Sequence, residues 1–213
     1  MIQAIFITGI GTGIGKTVVS AIIAEALEAD YWKPVQAGYA NGTDSEWVQS
    51  VLSNSKSKVH PEIYKLKLPA SPHLAGQNEN IQISLEKIYS SYCQLLSAGR
   101  LLVIEGAGGL LVPLNEKDFV ADLIRRLNAT VILVSRNYLG SINHSLLTAQ
   151  VCRQKNLRVL GWMFNDKHLD YEEDIVRWSG YPKLGFVPTL DKIDKETICN
   201  EAKKLKTNLL QVL

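Results

Sequence analysis

The chain has 213 residues, 46% hydrophobic and 21% charged, at a mean hydropathy of zero; that is the composition of a globular protein with one well-cored domain, and it excludes disordered and fibrous classes. The 23 Lys and Arg against 21 Asp and Glu leave a net charge of +2 with no dense basic cluster, which argues against a nucleic-acid partner. Cys93, Cys152 and Cys199 are odd in number and widely spaced, without a C-x-x-C pair or metal-spaced histidines, so packing in a reducing compartment is their expected role. Met1-Ile2-Gln3-Ala4 lacks a charged leader region and its apolar run is far short of a membrane span, so the expectation is a cytoplasmic protein with no membrane partner.

In chain order, the first element is an apolar run from Ala4 to Thr8, as expected of a strand covered on both faces. Residues 9–17 then read GIGTGIGKT. Glycines let backbone N–H groups and the positive end of the following helix approach an anion. Lys16 supplies a mobile charge for β and γ phosphates, and the Thr17 hydroxyl suits a magnesium ion. Counting back from Gly15, the standard first glycine falls at position 10, which is Ile10; Gly9 precedes it, so the loop reads as one residue longer than standard. Partitioning and nitrogenase-like ATPases carry a lysine four residues before the second glycine, where this chain has Gly11, which disfavours that sub-class.

Tyr31 to Gly38 (YWKPVQAG) reads as a short second strand ending near Lys33. A lysine there is either a solvated surface charge or one of two that share a multiply charged anion with Lys16. Thr43-x-x-Glu46 is a capping box that puts Asp44 in a first helical turn; the dipole favours an acid there with or without a metal, and both readings stand. Lys56 to Asn80 contains Pro61, Pro69 and Pro72 and reads as a loop beside the site. Leu85, Ile88, Tyr92, Leu95 and Leu96 mark a helical face from Leu85 to Leu96.

A second apolar strand, Leu101 to Ile104, ends at Glu105, placed to reach a metal beside Thr17; its plain alternative is an exposed acid at a strand end. The following Gly106-Ala107-Gly108-Gly109 suggests close approach to a ligand. A helix over Val120, Leu123, Ile124 and Leu127 follows, then a strand from Thr130 to Val134. Leu139-Gly140-Ser141 opens a helix from Ile142 to about Gln154, whose free N–H groups suit a carboxylate, with Ser141 also a candidate N-cap. Val159 to Phe164 and Leu184 to Val187 complete the strands. The alternation predicts a single α/β domain over residues 1–213: a doubly wound, mostly parallel sheet flanked by helices, of the phosphate-loop NTPase type.

GIGTGIGKT, WKPVQAG, Thr43-Asp44-Ser45, Ser71-Pro72-His73, EGAGG, LGSINH, GWMFND and Val187-Pro188-Thr189-Leu190 occur in the order and spacing of dethiobiotin synthetases. The resemblance runs from residue 1 to about 190 and implies an ATP- and magnesium-dependent carboxylation and ring closure of 7,8-diaminopelargonic acid with CO2, giving dethiobiotin, ADP and phosphate through a carbamate and its mixed anhydride. It implies that Gly13, Ile14, Gly15, Lys16, Thr17 and Val18 wrap the phosphates, that Thr12, Lys16 and Lys33 serve the chemistry, and that Thr17, Asp44 and Glu105 hold magnesium. Glu105, Gly106, Ala107 and Gly108 would line the nucleotide; Asn165, Asp166, Pro188, Thr189 and Leu190 would receive adenine. Lys33 would meet the carbamate, and Gly140, Ser141, Ile142 and Asn143 would take the substrate tail from the neighbouring subunit of a homodimer.

Two positions depart from the pattern: Ala37 stands where some relatives present a hydroxyl, and Gly11 where an aspartate is common. The rival readings are a nucleotide-dependent switch or assembly ATPase, which the missing lysine at position 11 disfavours, and a small-metabolite kinase, which leaves Lys33 in its K-P-V context unexplained.

Overall fold

The computed structural model describes residues 2–166 and 169–213. Strands β1 (Ala4–Gly9), β2 (Asp30–Trp32), β4 (Val59–His60), β6 (Leu102–Glu105), β7 (Thr130–Arg136), β8 (Val159–Asn165) and β9 (Lys183–Val187) form one sheet in the order β4-β2-β6-β1-β7-β8-β9. Every pairing in it is parallel. A separate two-stranded parallel pair joins β3 (Val35–Ala37) to β5 (Tyr64–Leu66).

The period-2 geometry of strands sends alternate residues to opposite faces, and each face has its own core. Ala4, Phe6, Leu102, Ile104, Val131, Leu133, Trp162 and Phe164 point one way. They are covered by α4 (Leu85–Leu96), α5 (Val120–Leu127), α6 (Ser141–Gln154) and α7 (Glu172–Ser179). Ile5, Ile7, Val103, Ile132, Val134 and Met163 point the other way, under α1 (Lys16–Leu27), α2 (Asp44–Val51) and α8 (Lys195–Val212). Helix α1 is apolar on nearly all sides because it lies between the sheet and α8; Val19, Ile22 and Ile23 are fully buried. It stops at Glu28, which adopts the left-handed conformation that closes helices.

Because β1 is followed by a crossover to one side and β6 by a crossover to the other, the strand order reverses around β1 and β6. A crevice opens there at the carboxyl ends of the strands. This is the doubly wound α/β fold expected of the sequence.

Four expectations are corrected. The segment from Lys56 to Asn80 is not a loop: it contains β4, β5 and α3 (Pro72–Asn78), elements too short to carry a readable period. The single strand expected over 31–38 is two strands in two sheets. Pro34 has no N–H to continue the ladder, and its carbonyl accepts instead from the N–H groups of Ile63 (2.9 Å) and Tyr64 (3.0 Å). Gly9 is not a loop glycine but the last residue of β1; a Cβ there would lie 2.2 Å from the carbonyl oxygen of Val134. Helix α6 begins at Ser141, not Ile142, and Gly140 occupies the cap at φ 104° with no side-chain cap bond. Among the described residues, no helix is long and apolar enough to cross a membrane.

Candidate functional site

The turn between β1 and α1 delivers Lys16 and Thr17 as the first residues of α1. Gly13 (φ 69°) and Gly15 (φ 88°) take left-handed conformations, which glycine adopts without steric cost. Gly15 also has no room for a side chain, since a Cβ would sit 2.3 Å from Asn165 Nδ2. Gly11 differs: a Cβ there meets nothing within 4 Å, and its carbonyl accepts a 2.6 Å hydrogen bond from Lys16 Nζ.

Five side chains converge in front of this turn. Glu105, at the end of β6 and 1% exposed, accepts from Thr17 Oγ1 (2.9 Å) and Lys33 Nζ (2.9 Å) on Oε1, and from the Tyr31 hydroxyl (2.8 Å) on Oε2. Lys33 Nζ also donates to Asp44 Oδ2. Asp44 is the first residue of α2, behind a complete capping box between Thr43 and Glu46, so its place in the first helical turn is as expected. The 6% exposure of Lys33 excludes the solvated-surface reading, and Glu105 is likewise no exposed acid.

Burial lowers the Lys16 ammonium to about 8; the positive charge of Lys33 adds to that, while Glu105 and Asp44 oppose it. Burial also works against the charge on Lys33, but the two adjacent carboxylates outweigh it and the net shift is upward. Burial and the Glu105 carboxylate push the Tyr31 phenol well above its ordinary value. The site thus holds Tyr31 neutral and Lys33 charged.

A cavity of about 710 Å³ is lined by Thr12, Gly13, Gly15, Lys16, Thr17, Val18, Lys33, Asp44, Glu105, Ala107 and Gly108, together with Gln36, Ala37, Val112 and residues 69–72. Both lysines therefore face one space. A neighbouring cavity of about 260 Å³ is lined by Gly13, Ile14, Gly15, Val18, Asn165, Asp166, Pro188, Thr189 and Leu190, with Arg136, Val187 and Ile193. The two share Gly13, Gly15 and Val18, so the glycine-rich turn is the wall between them. Asn165 Nδ2 donates 2.6 Å to the Ile14 carbonyl, which fixes the amide orientation because a carbonyl can only accept.

Some expected residues are placed elsewhere. Gly106 lines neither cavity; a Cβ there would meet the Phe6 ring at 2.7 Å, and its N–H donates to Ile7 O, so strand packing accounts for this glycine. Gly140, Ser141, Ile142 and Asn143 also line neither cavity. The Ser141 hydroxyl is fully buried and has no hydrogen-bond partner among the described residues. Sequence reasoning missed Tyr31, Gln36 and Arg136. For Tyr31 the signal existed, since it lies two residues before Lys33 and period-2 geometry puts both on one side of the chain.

Residues 3–197 match the AAA domain family model. The ATP-dependent dethiobiotin synthetase of Cytophaga hutchinsonii is 50% identical over 205 residues, covering 95% of this chain and 97% of the relative. That of Christiangramia forsetii is 42% identical and covers both chains completely. The chain belongs to the dethiobiotin synthetase family. Its fold is also that of the cell division protein MinD of Aquifex aeolicus, with a TM-score of 0.61 at 15% identity over 96% of this chain and 97% of that one. At that identity the likeness concerns the fold alone. The glycine-rich turn, Lys33, Asp44 and Glu105 are thus seen in a dethiobiotin synthetase framework.

Proposed function

We propose that this chain is an ATP-dependent dethiobiotin synthetase that works as one nucleotide-binding domain over residues 1–213. The observation that carries the reading is the convergence of Lys16, Lys33, Thr17, Asp44 and Glu105 on one cavity beside a second chamber shaped by Asn165, Asp166 and residues 188–190. The triphosphate of ATP lies along Gly13 to Val18 and its base enters the second chamber. Asp44 and Glu105 both accept from the Lys33 ammonium, and the Thr17 hydroxyl donates to Glu105; this all-oxygen set fits a hard divalent cation, so Thr17, Asp44 and Glu105 would hold magnesium. When bound, the ion would neutralise charge on the phosphates.

In the reaction, one amine of 7,8-diaminopelargonic acid captures CO2 as a carbamate. A carbamate oxygen takes the γ-phosphoryl group and ADP leaves; the second amine then attacks the carbamoyl carbon and phosphate leaves as the ureido ring closes. Lys33, kept charged by its carboxylates, stabilises the carbamate, and Lys16 with Thr12 stabilises the transferring group. No protein nucleophile is required, because catalysis rests on positioning and preorganised charge.

The tail of the diamine is assigned to Gly140 to Asn143 of a second subunit. That assignment is supported by the absence of these residues from the cavities of their own chain and by the exposure of Leu139 (84%) and Leu147 (57%) beside and on α6, apolar surface suited to a homodimer. The cytoplasm is the proposed location.

The test supplies ATP, Mg²⁺, bicarbonate and the diamine and measures ureido product against ADP. Stoichiometric formation of both is expected. ATP turnover indifferent to the diamine would overturn the reading in favour of a switch ATPase.

A further inference from the structure

The base chamber contains a carboxylate whose two oxygens are both already engaged. Asp166 Oδ2 receives Arg136 Nε at 2.6 Å, and Oδ1 accepts from Thr189 Oγ1 at 2.8 Å. All three residues line the same 260 Å³ cavity. The Asp166 backbone is pinned on both sides of β8: its N–H donates to Val187 O (3.2 Å), and its carbonyl accepts from Asn137 Nδ2 (3.1 Å). Its φ of 53° is left-handed. The carboxylate therefore stands in a set place, and Arg136 and Thr189 determine what it can still accept.

A free carboxylate in a base pocket is the natural acceptor for a guanine, whose N1–H and N2–H2 groups present two parallel donors that match two carboxylate oxygens. Adenine offers no such pair. Each oxygen of Asp166 keeps a further lone pair, but the Arg136 charge offsets that of the carboxylate and two protein donors already stand against it, so guanine gains a weakened pair at the cost of the solvation of its own donors. The Arg136 guanidinium adds a further disincentive, since it places donors at the chamber edge where guanine also carries donors. Arg136 contacts the turn itself only weakly, with Nη1 3.5 Å from Gly13 O.

We propose that Arg136, together with Thr189, sets the base preference of this site by donating to both oxygens of Asp166 and so weakening the acceptor pair that would admit guanine. The inference rests on the nucleotide reading given above. It makes Arg136 a specificity-determining residue that acts through Asp166 and touches no reacting atom.

The test measures dissociation constants of fluorescent N-methylanthraniloyl derivatives of ATP and GTP for the wild-type chain, Arg136→Ala, Thr189→Val and Arg136→Ala/Asp166→Asn. Arg136 is half-exposed, with a side chain 51% accessible, and its truncation removes no core packing. The expected result is a shift of the GTP-to-ATP affinity ratio toward GTP by at least about tenfold in Arg136→Ala, one bidentate charged pair gained. A smaller shift is expected in Thr189→Val, and loss of the gain in the double variant. An unchanged ratio in both single variants, with ATP binding retained, would overturn the proposal. So would an equal weakening of both nucleotides in Arg136→Ala, which would place Arg136 on the phosphates instead. Failure of the wild-type chain to bind either nucleotide would remove the site reading itself, a separate outcome from a wrong assignment of Arg136.

Discussion

The hydroxyl of Tyr31 donates a 2.8 Å hydrogen bond to Glu105 Oε2, while Glu105 Oε1 accepts from Thr17 and Lys33. One oxygen is thereby tied to the sheet and the other is aimed into the cavity. Tyr31 is fully buried, so nothing else can take over its hydrogen bond. Tyr31→Phe keeps the ring and removes only this tether. The expected outcome is a destabilisation of about 1.5 to 3 kcal/mol, the range for a hydrogen bond to a charged group, and a several-fold higher Mg²⁺ concentration for half-maximal turnover. An unaltered Mg²⁺ titration alongside the stability loss would show that the tether serves the fold only.

Lys33 and its carboxylates form a buried set whose members depend on one another. Lys33→Met leaves Glu105 as an uncompensated buried charge, which costs about 3 to 5 kcal/mol; turnover is expected to fall below detection. Asp44→Asn is milder, because Asp44 is only half-buried and Asn still suits the first helical turn. It is expected to raise the Mg²⁺ requirement while the chain unfolds within a few degrees of wild type. Thermal melts and Mg²⁺ titrations of the two variants separate charge balance from metal binding, and equal effects of both on melting would contradict this ordering.

Glycines of the turn are not equivalent. Gly11→Ala places a methyl in open space and is expected to leave stability unchanged within about 0.5 kcal/mol, as for an unconstrained surface position. Gly15→Ala forces a side chain into a left-handed backbone and against Asn165, with an expected cost of roughly 1 to 3 kcal/mol and a weakened nucleotide complex. Nucleotide titration by calorimetry on both variants checks this; parity between them would mean that the turn relaxes freely.

At the start of β2, next to Tyr31, Asp30 is 4% exposed and accepts from Arg100 Nε (2.7 Å), the Lys58 N–H (3.0 Å) and His60 Nε2 (3.0 Å), tying β4 and the chain before β6 to β2. Burial works to raise its carboxyl, but the Arg100 and His60 bonds outweigh burial and the net shift is downward. Since the folded value lies below the unfolded one, the stabilisation is present above the ordinary carboxylate range and is lost as pH falls through the lowered folded value. Asp30→Asn is therefore expected to melt below wild type at neutral pH, with the difference shrinking on acidification. A melting difference independent of pH would assign the effect to packing.

The amino-acid sequence by itself determined five of the seven strands of the main sheet from their continuous apolar runs, the amphipathic helices over 85–96 and 120–127, the capping box at Thr43, and the glycine-rich turn between β1 and α1. Each of these is a local pattern, set by the 2.0 or 3.6 residue period or by backbone freedom at glycine. Only the tertiary structure decided that Lys33 is buried rather than solvated, that Tyr31 holds Glu105, that Gly106 is a glycine because of Phe6, and that the chain divides at Pro34 between two sheets. Those facts depend on residues far apart in the chain, such as Tyr31 and Glu105, separated by 74 positions, or Pro34 and the Ile63 and Tyr64 N–H groups that its carbonyl receives. A charge shows no sign in sequence of whether its partner will arrive, because burial and pairing are properties of the packed chain as a whole.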